Sequence, residues 1–325
     1  MGRFICIEEP NGADALQLRE RDAPNPGPGE ILISQSKIGL NFIDIYQTTG
    51  LYPFPKDGIL VPGNEAAGII LSCGEGVKGF KEGDRVGYPF TIGAFAEERV
   101  ISSEKVILLP DEINDEVAAA SMLKGMTVEY LVNRSSKLKK GDKVLFHASA
   151  GGVGLIAGQW LKALGVESIG TAGSKEKLVL SKNAGFTHVI NYNETDFYEE
   201  VMEITNGEGV DVVFDSVGKD TYINSLKALK NFGLFVSFGQ SSGTPSDFKL
   251  SDLVSNGSLY AQRPSLANYI ASNDQLKAVS ENLFQMIIEG KIKIDINQRY
   301  DLSDTADAFR ALTSRETTGA TILEV

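Results

Sequence analysis

"KVLFHASAGGVGLIAGQWLKALG", residues 143–165, opens as a short apolar strand and closes as a helix, with a turn of alanine, serine and glycine between them. In its second half Val153, Ile156, Ala157, Trp160, Leu161 and Leu164 recur at helical spacing, so one helix face is apolar and packs inward. Gly151, Gly152 and Gly154 stand where that helix begins, and there the backbone N–H groups have no helical partner. Absent side chains let a bulky anion reach those donors, and the helix dipole adds about 0.3–1 kcal/mol. A pyrophosphate fits this description. The spacing runs A-x-x-G-x-x-G through Ala148, Gly151 and Gly154, with alanine where the dinucleotide fingerprint has its first glycine. Taken alone, such a cluster could equally be a tight turn that holds nothing.

Its surroundings decide. Strands are expected at 143–149, 167–173, 188–192, 210–217, 233–239 and 258–263, with helical stretches near 151–164, 175–184, 195–205 and 220–230. Apolar strands alternating with helices predict an α/β unit with a doubly wound parallel sheet, its first turn being the glycine turn. Residues 1 to about 124 read instead as short strands punctuated by glycine and proline, such as "GEILISQSKIGL" (29–40) and "GNEAAGIILSCG" (63–74). After Pro264 two helices and two strands remain, too few for a domain of their own. The expected domains are therefore 1–124 with 266–325, β-rich, and 125–265, nucleotide-binding.

The end of the second strand selects the nucleotide. An NAD site places Asp or Glu there to bind the ribose hydroxyls. This chain reads "TAGSKEKL", with Gly173 and Ser174 in place of the acid and Lys175 and Lys177 after them. A carboxylate repels a 2′-phosphate, whereas a hydroxyl and ammonium groups attract one. The expected cofactor is NADPH.

Composition narrows the class. The 325 residues carry a net charge of −12, which argues against nucleic acid or an anionic membrane as partner. No apolar run approaches the ~20 residues of a membrane-spanning helix, and the charged N-terminus is no secretory signal. The two cysteines, Cys6 and Cys73, have no paired spacing, which suits a reducing compartment. The expected location is cytoplasmic.

Together with "GLNFIDIYQTTGLYP" (39–53), "VPGNEAAG" (61–68), "AAASMLKGMTVEYLV" (118–132), "FDSVG" (214–218) and "SLYAQRPSL" (258–266), these features resemble the medium-chain dehydrogenase/reductase superfamily. Within it the chain is similar to the zinc-free NADPH:quinone oxidoreductases, the zeta-crystallin-like branch. The resemblance implies a Rossmann domain beside a GroES-like catalytic domain. Zinc-dependent relatives carry a ligand Cys near the first helix and a histidine in a G-H-E motif. Here residues 39–43 lack Cys and Asn64 takes the histidine's place. Two cysteines and two histidines in all cannot assemble a tetrahedral site from the usual N and S ligands, so no metal is expected.

Carried onto this chain, the resemblance implies cofactor contacts from Asn41, Thr127, Gly151, Gly152, Val153, Gly154, Gly173, Ser174, Lys177 and Tyr192. It adds Ser216 and Val217 after the fourth strand, Phe238, Gly239, Gln240 and Ser241 after the fifth, and Arg263. Tyr192 lies either beside the adenosine or at an exposed strand end. Arg263 sits over phosphate or ribose, or is an ordinary surface arginine. Asn41, Tyr46 and Tyr52 are the catalytic candidates: the tyrosines as an aromatic wall for a flat ring, or as core packing, and Asn41 as a carboxamide or ribose partner. Quinones and conjugated enones accept hydride readily, so the protein mainly positions the reactants and excludes water.

Two motifs mislead. "GQSSG" (239–243) matches the nucleophile elbow G-x-S-x-G, yet "TPSDF" follows where a helix is required and no histidine comes later. His147 inside an apolar strand is read as a satisfied interior histidine. The expected activity is quinone reduction by NADPH. Its alternatives are an enone or enoyl reductase and a crystallin-like nucleotide binder with little turnover. "SLYAQR" (258–263) is expected at a sheet edge, which predicts a homodimer joined edge to edge.

Overall fold

The computed structural model describes residues 1–52 and 58–325. The chain divides into two compact units, one of Met1–Met126, Tyr269–Ile288 and Ile294–Val325, the other of Thr127–Asn268 and Glu289–Lys293.

In the first unit β1 (Gly2–Cys6) and β2 (Gln17–Arg21) form an antiparallel ribbon. The long β3 (Glu30–Leu40) leads directly into α1 (Phe42–Thr48), followed by β4 (Glu65–Cys73), β5 (Arg85–Tyr88), β6 (Glu98–Ser102), β7 (Ile107–Leu108) and α2 (Asp115–Glu129). β3 pairs antiparallel with β4 and β6, β4 with β5, and β5 with β7. Alternating apolar residues of β3 and β4, among them Ile31, Ile33, Ile38 and Ile70, bury one face with Tyr88 and Phe95. Register places Gly39 opposite Glu65. A Cβ at Gly39 would stand 2.5 Å from Glu65 Cγ, so only glycine lets the end of β3 pass this close to a buried carboxylate.

The second unit alternates strand and helix: β8 (Lys143–Phe146), α3 (Gly152–Leu164), β9 (Glu167–Ala172), α4 (Lys175–Asn183), β10 (His188–Asn191), α5 (Phe197–Ile204), β11 (Val210–Asp215), α6 (Tyr222–Lys227), β12 (Leu229–Ser237), α7 (Leu250–Ser255) and β13 (Tyr260–Gln262). All six strands are parallel, in the order β10-β9-β8-β11-β12-β13. The order reverses between β8 and β11, which makes the crevice beyond their carboxyl ends the nucleotide position of a doubly wound sheet. The expected helix over 220–230 ends early, at Lys227, because β12 begins at Leu229 opposite Val210. An irregularity in that pairing follows, where Phe232 takes a positive φ of 63°.

The remaining chain forms α8 (Leu266–Tyr269), α9 (Asn273–Ile288), β14 (Ile296–Asp301), α10 (Thr305–Thr313) and β15 (Ala320–Glu324). β15 pairs antiparallel with β3, and β14 lies parallel to β15 at the margin of that sheet. Residues 289–293 group with the second unit, where Lys293 and the Gln159 side chain exchange hydrogen bonds of 2.7 and 2.9 Å. Among the described residues no helix is long and apolar enough to cross a membrane.

Candidate active site

The nucleotide side is built at the carboxyl edge of the parallel sheet. β8 ends at Phe146, and Ala148 turns the chain with φ 55°, the left-handed conformation for which glycine is the usual residue. Gly151 N–H donates to Ala148 O at 3.0 Å, and α3 starts at Gly152 with no side chain capping it. Its first N–H groups are therefore open to an anion. A Cβ at Gly154 would lie 2.6 Å from the Ser149 carbonyl carbon and oxygen, so this glycine serves the packing of helix on turn.

At the end of β9 the Ser174 hydroxyl caps α4, accepting from Lys177 N–H at 3.3 Å. Glu176 in the same turn is held below the usual carboxylate range by its own backbone N–H and by the Ser174 hydroxyl. This acid has no place among the residues expected from sequence. Its carboxylate takes a hydrogen bond from Ser174, and Lys175 and Lys177 stand on either side of it in sequence. Tyr192 lies against Gly173: a Cβ there would meet the phenol oxygen at 2.6 Å. The half-exposed ring thus covers the strand end where the adenosine is expected.

The loops after β11 and β12 are joined to each other. Ser241 N–H donates to Ser216 O at 3.0 Å and Ser242 N–H to Val217 O at 2.9 Å, while Phe238 N–H donates to Asp215 O at 2.8 Å. The buried Asp215 carboxylate takes the Val217 and Gly218 N–H groups at 2.8 and 2.9 Å. Val217 therefore offers a ligand its side chain, its N–H being spent on Asp215 and its carbonyl on the Ser242 N–H and hydroxyl. A Cβ at Gly239 would come within 2.8 Å of Ser216 O, which keeps position 239 bare. Phe238 packs its ring 5.6 Å from that of Phe146, and Arg263 donates to Ser237 O at 2.7 Å. The candidates of the second unit, from the 151–154 turn to Arg263, thus follow the ends of neighbouring strands. Gln240 lies in the joined loop, and Thr127 is the first residue of this unit, buried on α2.

The two misleading motifs resolve structurally. After Ser241 the next helix is α7, beginning only at Leu250, so there is no nucleophile elbow. His147 is buried between Thr171 Oγ1 and Ser225 Oγ, each 2.9 Å from a ring nitrogen. Ser225 donates onward to Asp215 Oδ2 at 3.0 Å, so it accepts from His147 Nε2–H. Burial lowers the imidazole pKa, and the ring is a neutral link in the core.

In the first unit the catalytic candidates lie on and around α1: Asn41 at its N-cap, Tyr46 within it and Tyr52 after it. Tyr46 and Tyr52 meet edge to face with centroids 5.7 Å apart and both half-buried, with Phe42 6.2 Å from Tyr46. Their pairing leaves part of each ring accessible. Asn41 is buried, and its Nδ2 donates to Glu65 Oε1 at 2.8 Å and towards Gly39 O at 3.4 Å. The amide hydrogens have protein acceptors, so as a ligand partner Asn41 is an acceptor rather than a donor. Around it lies a buried polar cluster that the sequence alone does not announce. Lys124, 5% exposed, pairs with the fully buried Glu65 at 2.9 Å. Asn64 Nδ2 donates to Asp44 Oδ1 at 2.6 Å and to Gln47 Oε1 at 2.8 Å. Asp44, also fully buried, takes the Asn41 N–H at 2.8 Å, and burial pushes its pKa up to about 7 against the pull of those hydrogen bonds.

Known proteins share both units. Residues 27–111 match the alcohol dehydrogenase GroES-like domain, and residues 152–283 match the zinc-binding dehydrogenase family. A quinone oxidoreductase of Pseudomonas aeruginosa is 44% identical over 326 residues, 99% of each chain. The chain belongs to the quinone oxidoreductase family. The crystal structure of the Escherichia coli quinone oxidoreductase complexed with NADPH superposes with a TM-score of 0.97 over 100% of both chains, at 44% identity. A 2-haloacrylate reductase of a Burkholderia species is 37% identical over 98% of this chain. The fold is thus a Rossmann unit with a GroES-like unit, and the chain is an oxidoreductase.

One matched family is described as zinc-binding, and the residues of this chain do not fit zinc. Asn64 presents amide hydrogens to Asp44 and Gln47, and Glu65 is occupied by Lys124 and Asn41. An ammonium group at the centre of such a cluster repels a divalent cation, and zinc selects thiolate, imidazole and carboxylate ligands. Among the described residues no three His, Cys, Asp or Glu side chains converge.

Proposed function

We propose that the chain is an NADPH-dependent quinone reductase that works without a metal. The observation that carries this reading is the match, over its whole length, to a quinone oxidoreductase complexed with NADPH. The absence of an acid at the end of β9, with Gly173, Ser174 and Lys177 there instead, supports the phosphorylated nucleotide. Bound NADPH supplies the hydride. The glycine turn and the start of α3 hold the pyrophosphate, Ser174 and Lys177 the 2′-phosphate, and Tyr192 and Arg263 flank adenosine and ribose. Ser216, Val217 and the 238–241 loop shape the nicotinamide side. Tyr46 and Tyr52 provide an aromatic face for a flat acceptor.

The test follows the reduced cofactor's absorbance with a quinone panel, comparing NADPH with NADH and wild type with Lys177→Ala. Consumption of NADPH with quinones is expected. Lys177→Ala should weaken NADPH by about 10- to 100-fold, one charge-assisted contact of roughly 1.5–3 kcal/mol, and leave NADH nearly unchanged. Equal loss for both nucleotides rejects the 2′-phosphate assignment. The similarity to a 2-haloacrylate reductase favours a second reading, reduction of an activated C=C bond. Turnover of haloacrylates or enones with no turnover of quinones would select it.

We also propose a homodimer. Among the described residues β13 is the last strand of its sheet and pairs only with β12. Tyr260 on it is 63% exposed, and Leu250 and Val254 of α7 are exposed too. An open edge flanked by apolar side chains is suited to pairing with its copy. Light scattering should give twice the 35.0 kDa chain mass, and a monomer would refute the pairing. A cytoplasmic location fits two free thiols, Cys6 buried and Cys73 exposed.

A further inference from the structure

We infer that Glu65 and Lys124 are positioning residues that fix the Asn41 side chain with its oxygen turned towards the ligand, so that Asn41 accepts a hydrogen bond from the nicotinamide half of NADPH. This rests on the reading that NADPH is the cofactor. Glu65 is fully buried, and a carboxylate at that depth is tolerated only where its lone pairs are taken. Its Oε2 accepts from the Leu123 backbone N–H at 2.6 Å. Its Oε1 is shared, accepting from Lys124 Nζ at 2.9 Å and from Asn41 Nδ2 at 2.8 Å.

That sharing decides which way Asn41 points. Turning the amide over would bring the Asn41 oxygen against a carboxylate oxygen and leave a buried acceptor without its donor, a costly exchange. The Gly39 carbonyl, 3.4 Å from Nδ2, gives the same preference. The backbone N–H of Asn41 is also spent, on Asp44. What the residue has left is Oδ1, an acceptor. The nicotinamide half of the cofactor carries matching donors, its ribose hydroxyls and its carboxamide NH2. Lys124 is needed because Glu65 alone would be an uncompensated buried charge. The ammonium reaches Asn41 only through the shared carboxylate oxygen, so it acts on the ligand through Asn41 and not directly.

Equilibrium binding of NADPH and of adenosine 2′,5′-bisphosphate, which lacks the nicotinamide half, tests this in wild type, Asn41→Ala, Lys124→Met and the double variant. Each single substitution should weaken NADPH by about 3- to 10-fold, the range of one neutral hydrogen bond. The double variant should be no weaker than the weaker single one, and the bisphosphate should bind all four alike. Losses that multiply in the double variant, or unaltered NADPH binding by Lys124→Met, overturn the inference. So does a parallel loss of bisphosphate affinity in a folded Lys124→Met, which is the mark of a purely structural pair. If Lys124→Met does not fold, Lys124→Arg replaces it. Its retained charge predicts NADPH affinity within about threefold of wild type, and a larger loss with bisphosphate binding intact overturns the inference. A wild-type chain that does not distinguish NADPH from NADH would instead defeat the cofactor reading, a result separable from all of these.

Discussion

Asp215→Ala is expected to lower the stability of the protein by about 3–5 kcal/mol, the result of leaving several buried donors without an acceptor. Asp215 ends β11, at the point where the strand order of the parallel sheet reverses, and it is fully buried. Its Oδ1 takes the N–H groups of Val217 and Gly218, and its Oδ2 takes the hydroxyls of Thr221 and Ser225 at 2.7 and 3.0 Å. Through Ser225 it also reaches His147, one residue before the turn that precedes α3. The Asp215 carbonyl meanwhile receives Phe238 N–H. One residue therefore shapes three of the loops expected to touch the cofactor, and NADPH affinity should fall with stability. Asp215→Asn keeps the volume but turns an NH2 group against donors, and about 1–3 kcal/mol is expected for it. Urea unfolding of the three proteins with an unchanged m-value measures this, and a loss below about 1 kcal/mol for the alanine variant would show that the donors find other acceptors.

The legibility of this chain follows the range of its interactions. The parallel sheet is readable because each apolar strand and amphipathic helix is encoded within ten or so consecutive residues, and the glycine turn lies between two of them. Even there Ala148 hides a left-handed turn that a glycine would announce. The cofactor loops are placed through resemblance and strand order, whereas the loss of the Val217 N–H to Asp215 depends on a side chain that reads in sequence as part of an apolar strand over 210–217, and that the structure puts at the strand's end. Glu176 is masked by the lysines on either side of it, which dominate the local charge. The cluster beside Asn41 is hard to read for a different reason: its partners stand 24 and 59 positions apart in the chain, brought together by the register of β3 with β4 and by α2. A signal for it does exist. Lys124 within "AAASMLKGMTVEYLV" and Asp44 within "NFIDIYQ" are charges on otherwise apolar stretches, and a charge buried by such neighbours needs a partner. "GNE" draws notice for the histidine it lacks, yet Asn64 and Glu65 are both engaged.

Asp44 should give the protein a stability that falls as pH rises from about 4 to about 7, by roughly 4 kcal/mol from this group, since each tenfold change in proton affinity is worth about 1.4 kcal/mol. Burial is the main cause of its raised pKa of about 7, the nearby Glu65 adds to it, and Asn64, the Asn41 N–H and Lys124 oppose it. The sign follows from proton binding. In the unfolded chain the carboxyl ionises near pH 4, whereas in the folded chain it keeps its proton to about 7. Over that interval the folded state binds more protons, so each step upward in pH favours unfolding, and above about 7 the dependence from this group ends. Both Asp44 oxygens accept hydrogen bonds in the structure, from Asn64 Nδ2 and from the Asn41 N–H, which is the arrangement of the ionised form. On protonation the new O–H needs an acceptor, and Asn64 can supply one by turning its amide over, provided Gln47 turns with it. Asn64 and Gln47 are joined by a single hydrogen bond, so the change can stay local. Denaturant unfolding at a series of pH values, wild type minus Asp44→Asn, isolates the effect from the other carboxylates. The wild type should lose stability relative to the variant between about pH 4 and 7. A flat difference, or one rising with pH, would mean that the surrounding donors and Lys124 hold Asp44 ionised throughout, and that burial is not the dominant influence on it.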